Sequence, residues 1–270
     1  MGGNVLTKQT KNKYVDFISD QHLFNCIQVL YTKYENAKQE FTIKKFYNNM
    51  IDPIKLLFDM KFLGQSPAEK IMAEINRKID KSLNNAIGEF HENLLGGIEG
   101  LEKFPVGEGY DIKAKDDLLY ADIKNKHNTV KGSNQKDLYT ELEAYVSEDE
   151  NVEDKAYWVQ IIAPSSFLVH WKITIHNKDN PKIYKASGDK FYELVTGNPN
   201  AFAELCEALP RTIDDFLKEK QITPQSTNNT VFQNIAEAAE QYNVDIVRQL
   251  FNENFKHYNG FPLSNKIEQK

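Results

Sequence analysis

Cysteine is scarce in this chain, and so is arginine. Two cysteines, Cys26 and Cys206, stand among 270 residues. They exclude a disulfide framework and a Cys-based zinc site, and are expected as core residues of helices. Glycine (13) and proline (9) are too few for a collagen-like or low-complexity chain. No apolar run approaches the ~18–20 residues that a spanning helix needs. No basic stretch leads into an apolar run at the start, and Leu6 breaks the pattern for acylation of Gly2. The expectation is a soluble, cytoplasmic protein. Walker A, GxGxxG, HExxH and GxSxG sequences are all missing, which removes the common signatures of nucleotide-binding, zinc-protease and serine-hydrolase chemistry.

What is present is a protein-like balance, with 40% hydrophobic and 27% charged residues and a net charge of −6. The charge is unevenly placed. Residues 137–155 carry −7 by themselves, so the rest of the chain is +1. Just before them, residues 111–136 hold six lysines against four aspartates. Local charge decides where a polyanion sits, so the acidic total does not exclude a nucleic-acid partner.

The hydrophobic period changes twice. The first third reads helical, and its best-signed helix opens at Ser66-Pro67-Ala68-Glu69, a capping box with proline at the first helical position. Ile71, Ile75, Ile79, Leu83, Ile87 and Leu94 then form a stripe that ends at Gly96-Gly97. The centre reads as strands: Tyr110–Ile112, Leu118–Lys126, Tyr157–Ala163, Phe167–Ile175 and Lys182–Ala186, with a helix from Lys136 to about Tyr145. Helices return over Gly188–Thr196, Pro199–Lys220, Val231–Tyr242 and Val244–Tyr258, with a polar linker at Gln221–Thr230. This order predicts a mixed α/β fold, a central mixed sheet flanked by helices.

The chemistry concentrates in Gly109-Tyr110-Asp111-Ile112 and Ala121-Asp122-Ile123-Lys124. A turn at 114–117 lays the two strands side by side. Asp122 and Lys124, two apart, share one strand face. Two carboxylates and an ammonium around one small volume suit phosphodiester hydrolysis. Carboxylate oxygens favour Mg²⁺. The metal polarises the phosphoryl group, and a lysine holds the attacking water or stabilises the phosphorus. An Asp-x-Lys strand by itself is more often a solvated face. Here the opposite face (Leu119, Ala121, Ile123) is apolar, and an acid stands upstream at strand-pairing distance. Asp116 and Asp117 fall in the turn and belong to turn chemistry.

This arrangement resembles the PD-(D/E)XK nucleases, with Asp111 as the first acid, Asp122 as the second and Lys124 as the lysine. Tyr110 stands where that family carries proline. A wider resemblance is to bacterial type II restriction endonucleases that cut GGNCC or GGWCC sites. Its segments are Phe17-Ile18-Ser19-Asp20, Ile51-Asp52-Pro53-Ile54-Lys55, Ile87-Gly88-Glu89-Phe90-His91-Glu92-Asn93, Lys124-Asn125-Lys126-His127-Asn128-Thr129-Val130 and Lys190-Phe191-Tyr192-Glu193-Leu194-Val195-Thr196-Gly197. The resemblance implies a restriction-endonuclease-like fold, Mg²⁺ dependence and a homodimer that cuts double-stranded palindromic DNA. It also implies a cognate DNA methyltransferase as genetic partner, since an unprotected host genome would be cut. A nuclease domain is expected over residues 1–220, with its catalytic core at about 66–186, and a helical extension over 221–270.

A glutamate from the preceding helix accompanies the metal in many such nucleases, and Glu89 and Glu92 are both candidates, with surface ion pairing as the alternative role. His91, between them, is a packing residue or a phosphate contact. The loop leaving the Lys124 strand offers Lys126, His127, Asn128, Thr129, Lys131 and Ser133 as DNA contacts, with Asn128 and Lys131 foremost. His170, Lys172, Lys185 and Lys190 are further possible contacts, more simply read as sheet-face or surface residues. With three arginines (Arg77, Arg211 and Arg248) in the chain, base reading falls to lysine, asparagine or backbone groups. Two other readings remain open: a non-catalytic DNA-binding protein on a nuclease-like scaffold, and a repair or junction nuclease.

Overall fold

The computed structural model describes residues 12–39, 53–65, 67–105, 109–149, 151–222, 237, 239–244, 252 and 257–261. Two compact units are present, one of residues 1–25 and 91–270, the other of Cys26–Phe90. The second is helical: most of α1 (Asp20–Gln39), α2 (Pro53–Leu63) and the larger part of α3 (Pro67–Leu95). Helix α3 runs without a break through Asn84-Asn85 and Gly88. Ser66, the expected cap, and most of the two expected C-terminal helices lie outside the described residues.

The first unit is built on a six-stranded sheet of order β1-β2-β3-β4-β6-β5. Its strands are β1 (Leu101–Lys103), β2 (Ile112–Ala114), β3 (Leu119–Lys126), β4 (Lys155–Ile162), β5 (Leu168–His170) and β6 (Ile183–Ser187). β3, β4 and β6 run parallel, while β1, β2 and β5 join by antiparallel pairing at the two edges. This is the expected mixed sheet. β4 is buried along six consecutive residues, Ala156–Ile161, because helices cover both faces of a parallel sheet. On one face α4 (Gln135–Glu143) packs Leu138, Tyr139 and Leu142 against Ala156, Trp158 and Ile183. On the other, Phe191 of α5 (Gly188–Thr196) meets Tyr157 edge-on at 5.9 Å. α5 in turn packs on α6 (Ala201–Glu219), with Tyr192 against Phe202 at 5.4 Å.

Three elements depart most from the sequence reading. β1 went unread, being three residues long and too short to display alternation. β2 begins at Ile112 rather than Tyr110. The strand expected over Phe167–Ile175 is regular only over Leu168–His170. Trp171 is drawn inward between Trp158 and Tyr139, with ring centroids 4.9 and 5.1 Å away. The chain then leaves the sheet edge through a short 3-10 turn at Thr174–His176. Burial of one large aromatic outweighs continuation of an edge ladder.

Candidate active site

The sheet positions Asp111, Asp122 and Lys124 at one level. Ile112 pairs with Ala121, and the Asp111 N–H donates to the Ala121 carbonyl at 3.0 Å. Beyond that point β2 diverges, and the Ile123 N–H would lose its partner. Asp111 Oδ2 accepts it at 2.7 Å, so the carboxylate completes the ladder that the backbone abandons. That hydrogen bond seats Asp111 over the residue between Asp122 and Lys124. Gly109 permits the approach. Its φ of +108° suits glycine, and a Cβ there would lie 2.5 Å from the Tyr145 hydroxyl.

Lys124 Nζ donates to Asp122 Oδ2 at 2.7 Å. Asp122 is 7% exposed, and its Oδ1 is out of contact with solvent and has no hydrogen-bond partner. Burial pushes the Asp111 carboxyl up to about 6, with the charges of Asp122 and Glu92 adding to it, against the Ile123 N–H and Lys124. For Lys124, burial works to lower the ammonium's pKa, but Asp122, Asp111 and Glu92 outweigh it and hold it above the usual value. The centre therefore has excess negative charge and one orphaned oxygen. A divalent cation at the carboxylates would answer both, and carboxylate oxygens are donors that Mg²⁺ accepts. Among the described residues no cluster of three or more His, Cys, Asp or Glu side chains could hold a metal ion.

The two helix acids separate. Glu92, in the last turns of α3, pairs with Lys103 at 3.2 Å and acts electrostatically on both Asp111 and Lys124. Glu89 pairs with Lys33 within the helical unit. Burial pushes His91 down to about 4, so it is neutral at pH 7 and brings no charge to a phosphate. Lys126, the last residue of β3, and His127, Asn128, Thr129, Lys131 and Ser133 beyond it all lie exposed. The loop after β3 is ordered by its own bonds, with Thr129 Oγ1 donating to the Lys126 carbonyl at 2.7 Å and the His127 N–H to Ile162 at 3.0 Å. Asp116 Oδ1 accepts the Leu118 N–H at 3.1 Å, and Asp117 has φ +61°, so both serve the turn. His170 is held by Asn180 and Asp179, Lys172 lies near Asp179, and Lys190 pairs with Glu193. Cys26 and Cys206 are buried.

Two residues near the centre were not singled out from the sequence. Tyr145 is held above its usual pKa by burial first, then by Glu141, Asp122 and Asp111, and its ring sits 4.9 Å from Tyr110. Gln160, buried on β4, pairs in register with Lys124. A polar residue inside the otherwise apolar run Ala156–Ile162 was the available signal for Gln160; Tyr145 had none.

The Eco47II restriction endonuclease family matches residues 15–218 of the chain. The chain is 34% identical over 258 residues to the type II restriction enzyme Sau96I of Staphylococcus aureus, covering 92% of this chain and 98% of that protein. It is 35% identical over 215 residues to the type II restriction enzyme Eco47II of Escherichia coli, covering 76% of this chain and 89% of that protein.

Proposed function

We propose how this chain, which belongs to the Eco47II restriction endonuclease family and is a site-specific deoxyribonuclease of type II, carries out its hydrolysis. The family works with a divalent metal, and Asp111 and Asp122 would hold it here as Mg²⁺, whose preference is for carboxylate oxygens. When bound it supplies Lewis-acid polarisation of the phosphoryl group. Asp111 is oriented by the Ile123 N–H, and Asp122 by Lys124. Lys124 orients the attacking water by hydrogen bonding and stabilises the charge that builds on the phosphoryl oxygens as the P–O bond to the leaving sugar oxygen breaks. Glu92 acts on Asp111 at longer range and helps set its charge. The buried, partnerless Oδ1 of Asp122 is the observation that carries the assignment.

The substrate is double-stranded DNA at a short GGNCC-like palindrome, cut by a homodimer whose two centres address opposite strands. Lys126, His127, Asn128, Thr129, Lys131 and Ser133 lie where a loop leaving the catalytic strand reaches the neighbouring backbone. A cognate DNA methyltransferase protects the host genome, and the protein works in the bacterial cytoplasm. No helix among the described residues is long and apolar enough to cross a membrane. The nuclease domain spans 1–220, followed by a helical extension over 221–270.

Digestion of unmethylated phage DNA tests the reading. Discrete fragments with Mg²⁺, none with EDTA, and none from Asp122→Ala are expected. Full cutting by Asp122→Ala would remove the assignment. A shifted but intact band from the wild-type protein with Mg²⁺ would contradict the activity.

A further inference from the structure

Among the described residues of the sheet-bearing unit seven lysines are half-buried, and six of them hold a carboxylate: Lys103, Lys113, Lys124, Lys178, Lys182 and Lys190. Lys185 is the exception and has no ion-pair partner among the described residues. Its ammonium lies instead over two indole rings, 4.6 Å from the centroid of Trp158 and 4.9 Å from that of Trp171. The rings orient the cation by their π faces without neutralising it.

Register gives this lysine its meaning. Asp122 pairs with Trp158 on β4, and Trp158 pairs with Lys185 on β6. Register partners in a sheet project to the same face, so Lys185 stands level with Asp122 on the catalytic face. Two inter-strand steps place its backbone roughly 10 Å from that of Asp122. Its partner on the edge strand β5, Val169, is 48% exposed, so the sheet edge beside Lys185 is open to solvent.

We propose that Lys185 binds a DNA backbone phosphate adjacent to the one that is cut, so that Trp158 and Trp171 form a ledge that aims one cation at the strand being cut. Burial already lowers the ammonium's pKa with nothing opposing it. A phosphate oxygen supplies the missing counter-charge. The proposal rests on the reading of the catalytic face given above. Lys185 touches no reacting atom and is a binding residue.

Its test uses the full-length protein and a duplex carrying one cut site mapped from the phage digest. Lys185→Met keeps the aliphatic stem against the indoles and removes the charge. Its KM is expected to rise about tenfold with kcat within about twofold, and the slope of log affinity against log salt to fall by about 1, as for one lost phosphate contact. Lys185→Arg should restore both. An unchanged KM and slope in Lys185→Met overturns the proposal. Acylation of the wild-type lysines in EDTA, read by mass spectrometry, decides the matter even where Lys185→Met fails to fold. The duplex should shield Lys185 from modification, and equal labelling with and without DNA refutes the contact. Lys124→Ala separates the two readings: it should lose cutting and keep the shielding of Lys185. Cutting by Lys124→Ala counts against the catalytic assignment alone.

Discussion

Asp154 and Lys182 stand 2.8 Å apart and Asp122 and Lys124 2.7 Å apart, and there the likeness ends. Every polar atom of the first pair has a partner. Asp154 Oδ1 takes Lys182, its Oδ2 accepts the Ser147 N–H, and Lys182 also donates to the carbonyls of Ser147 and Asp149 at 2.9 and 2.8 Å. Burial works to raise the Asp154 carboxyl, but Lys182 and Ser147 together hold it below its usual range. In the second pair Asp122 Oδ1 is buried without a partner, and a second carboxylate, pushed up to about 6, lies beside it. A completed polar network stabilises the fold, whereas an incomplete one stores a demand that a ligand meets. Distance alone would not have told them apart.

The comparison is sharpened most by breaking each pair in turn. Lys124→Ala should cut DNA roughly 10³-fold more slowly and also melt below the wild type, since buried Asp122 then keeps its charge with no ammonium beside it. Cutting assays beside thermal melts check both halves. Asp154→Asn should affect stability alone, losing about 3 kcal/mol because half-buried Lys182 is left without its charge partner, with cutting by the folded fraction unchanged. Urea titration measures it, and a melt like the wild type's would break the contrast.

The two aspartates should also differ in the sign of their pH dependence in metal-free protein. Asp154, with its folded pKa depressed, contributes stability that is present above about pH 4 and lost as pH falls through the depressed value. Asp111, with its folded pKa raised, contributes stability that is complete below about pH 4 and lost as pH climbs through about 6. Asp111→Asn keeps an acceptor for the Ile123 N–H and removes the charge. It should raise stability at pH 8 by roughly 2 kcal/mol in EDTA while abolishing cutting. Denaturant titrations at pH 4, 6 and 8 would show the curve flattening. The smallest effect is expected at the exposed loop: Lys131→Ala should weaken DNA binding about threefold and lower the salt slope by about 1. A larger loss, or one confined to a single base sequence, would make Lys131 a base reader.

Much of the centre was legible because strand chemistry is local. Alternation over Leu119–Lys126 set Asp122 and Lys124 on one face, and the Asp116-Asp117 pair marked the turn that returns the chain beside Asp111. The segment Phe167–Ile175 was misread for a non-local reason. Trp171 is pulled off the sheet edge by Trp158 and Tyr139, which are distant in sequence. Glu89 and Glu92 could not be separated from spacing, since neighbouring helical turns look alike until Lys33 and Lys103 take their places.

The residue order by itself determined the alternation, the turn and the identity of the three charged groups, because a strand's period of two depends only on neighbouring residues. Tertiary structure alone decided that Asp111's carboxylate fills in for a departing strand and that one oxygen of Asp122 stays without a donor. It also decided that Lys185, unlike its six half-buried counterparts, has aromatic faces where they have carboxylates. Those outcomes depend on which atoms from distant segments arrive at the same point, and on how far water is excluded when they do.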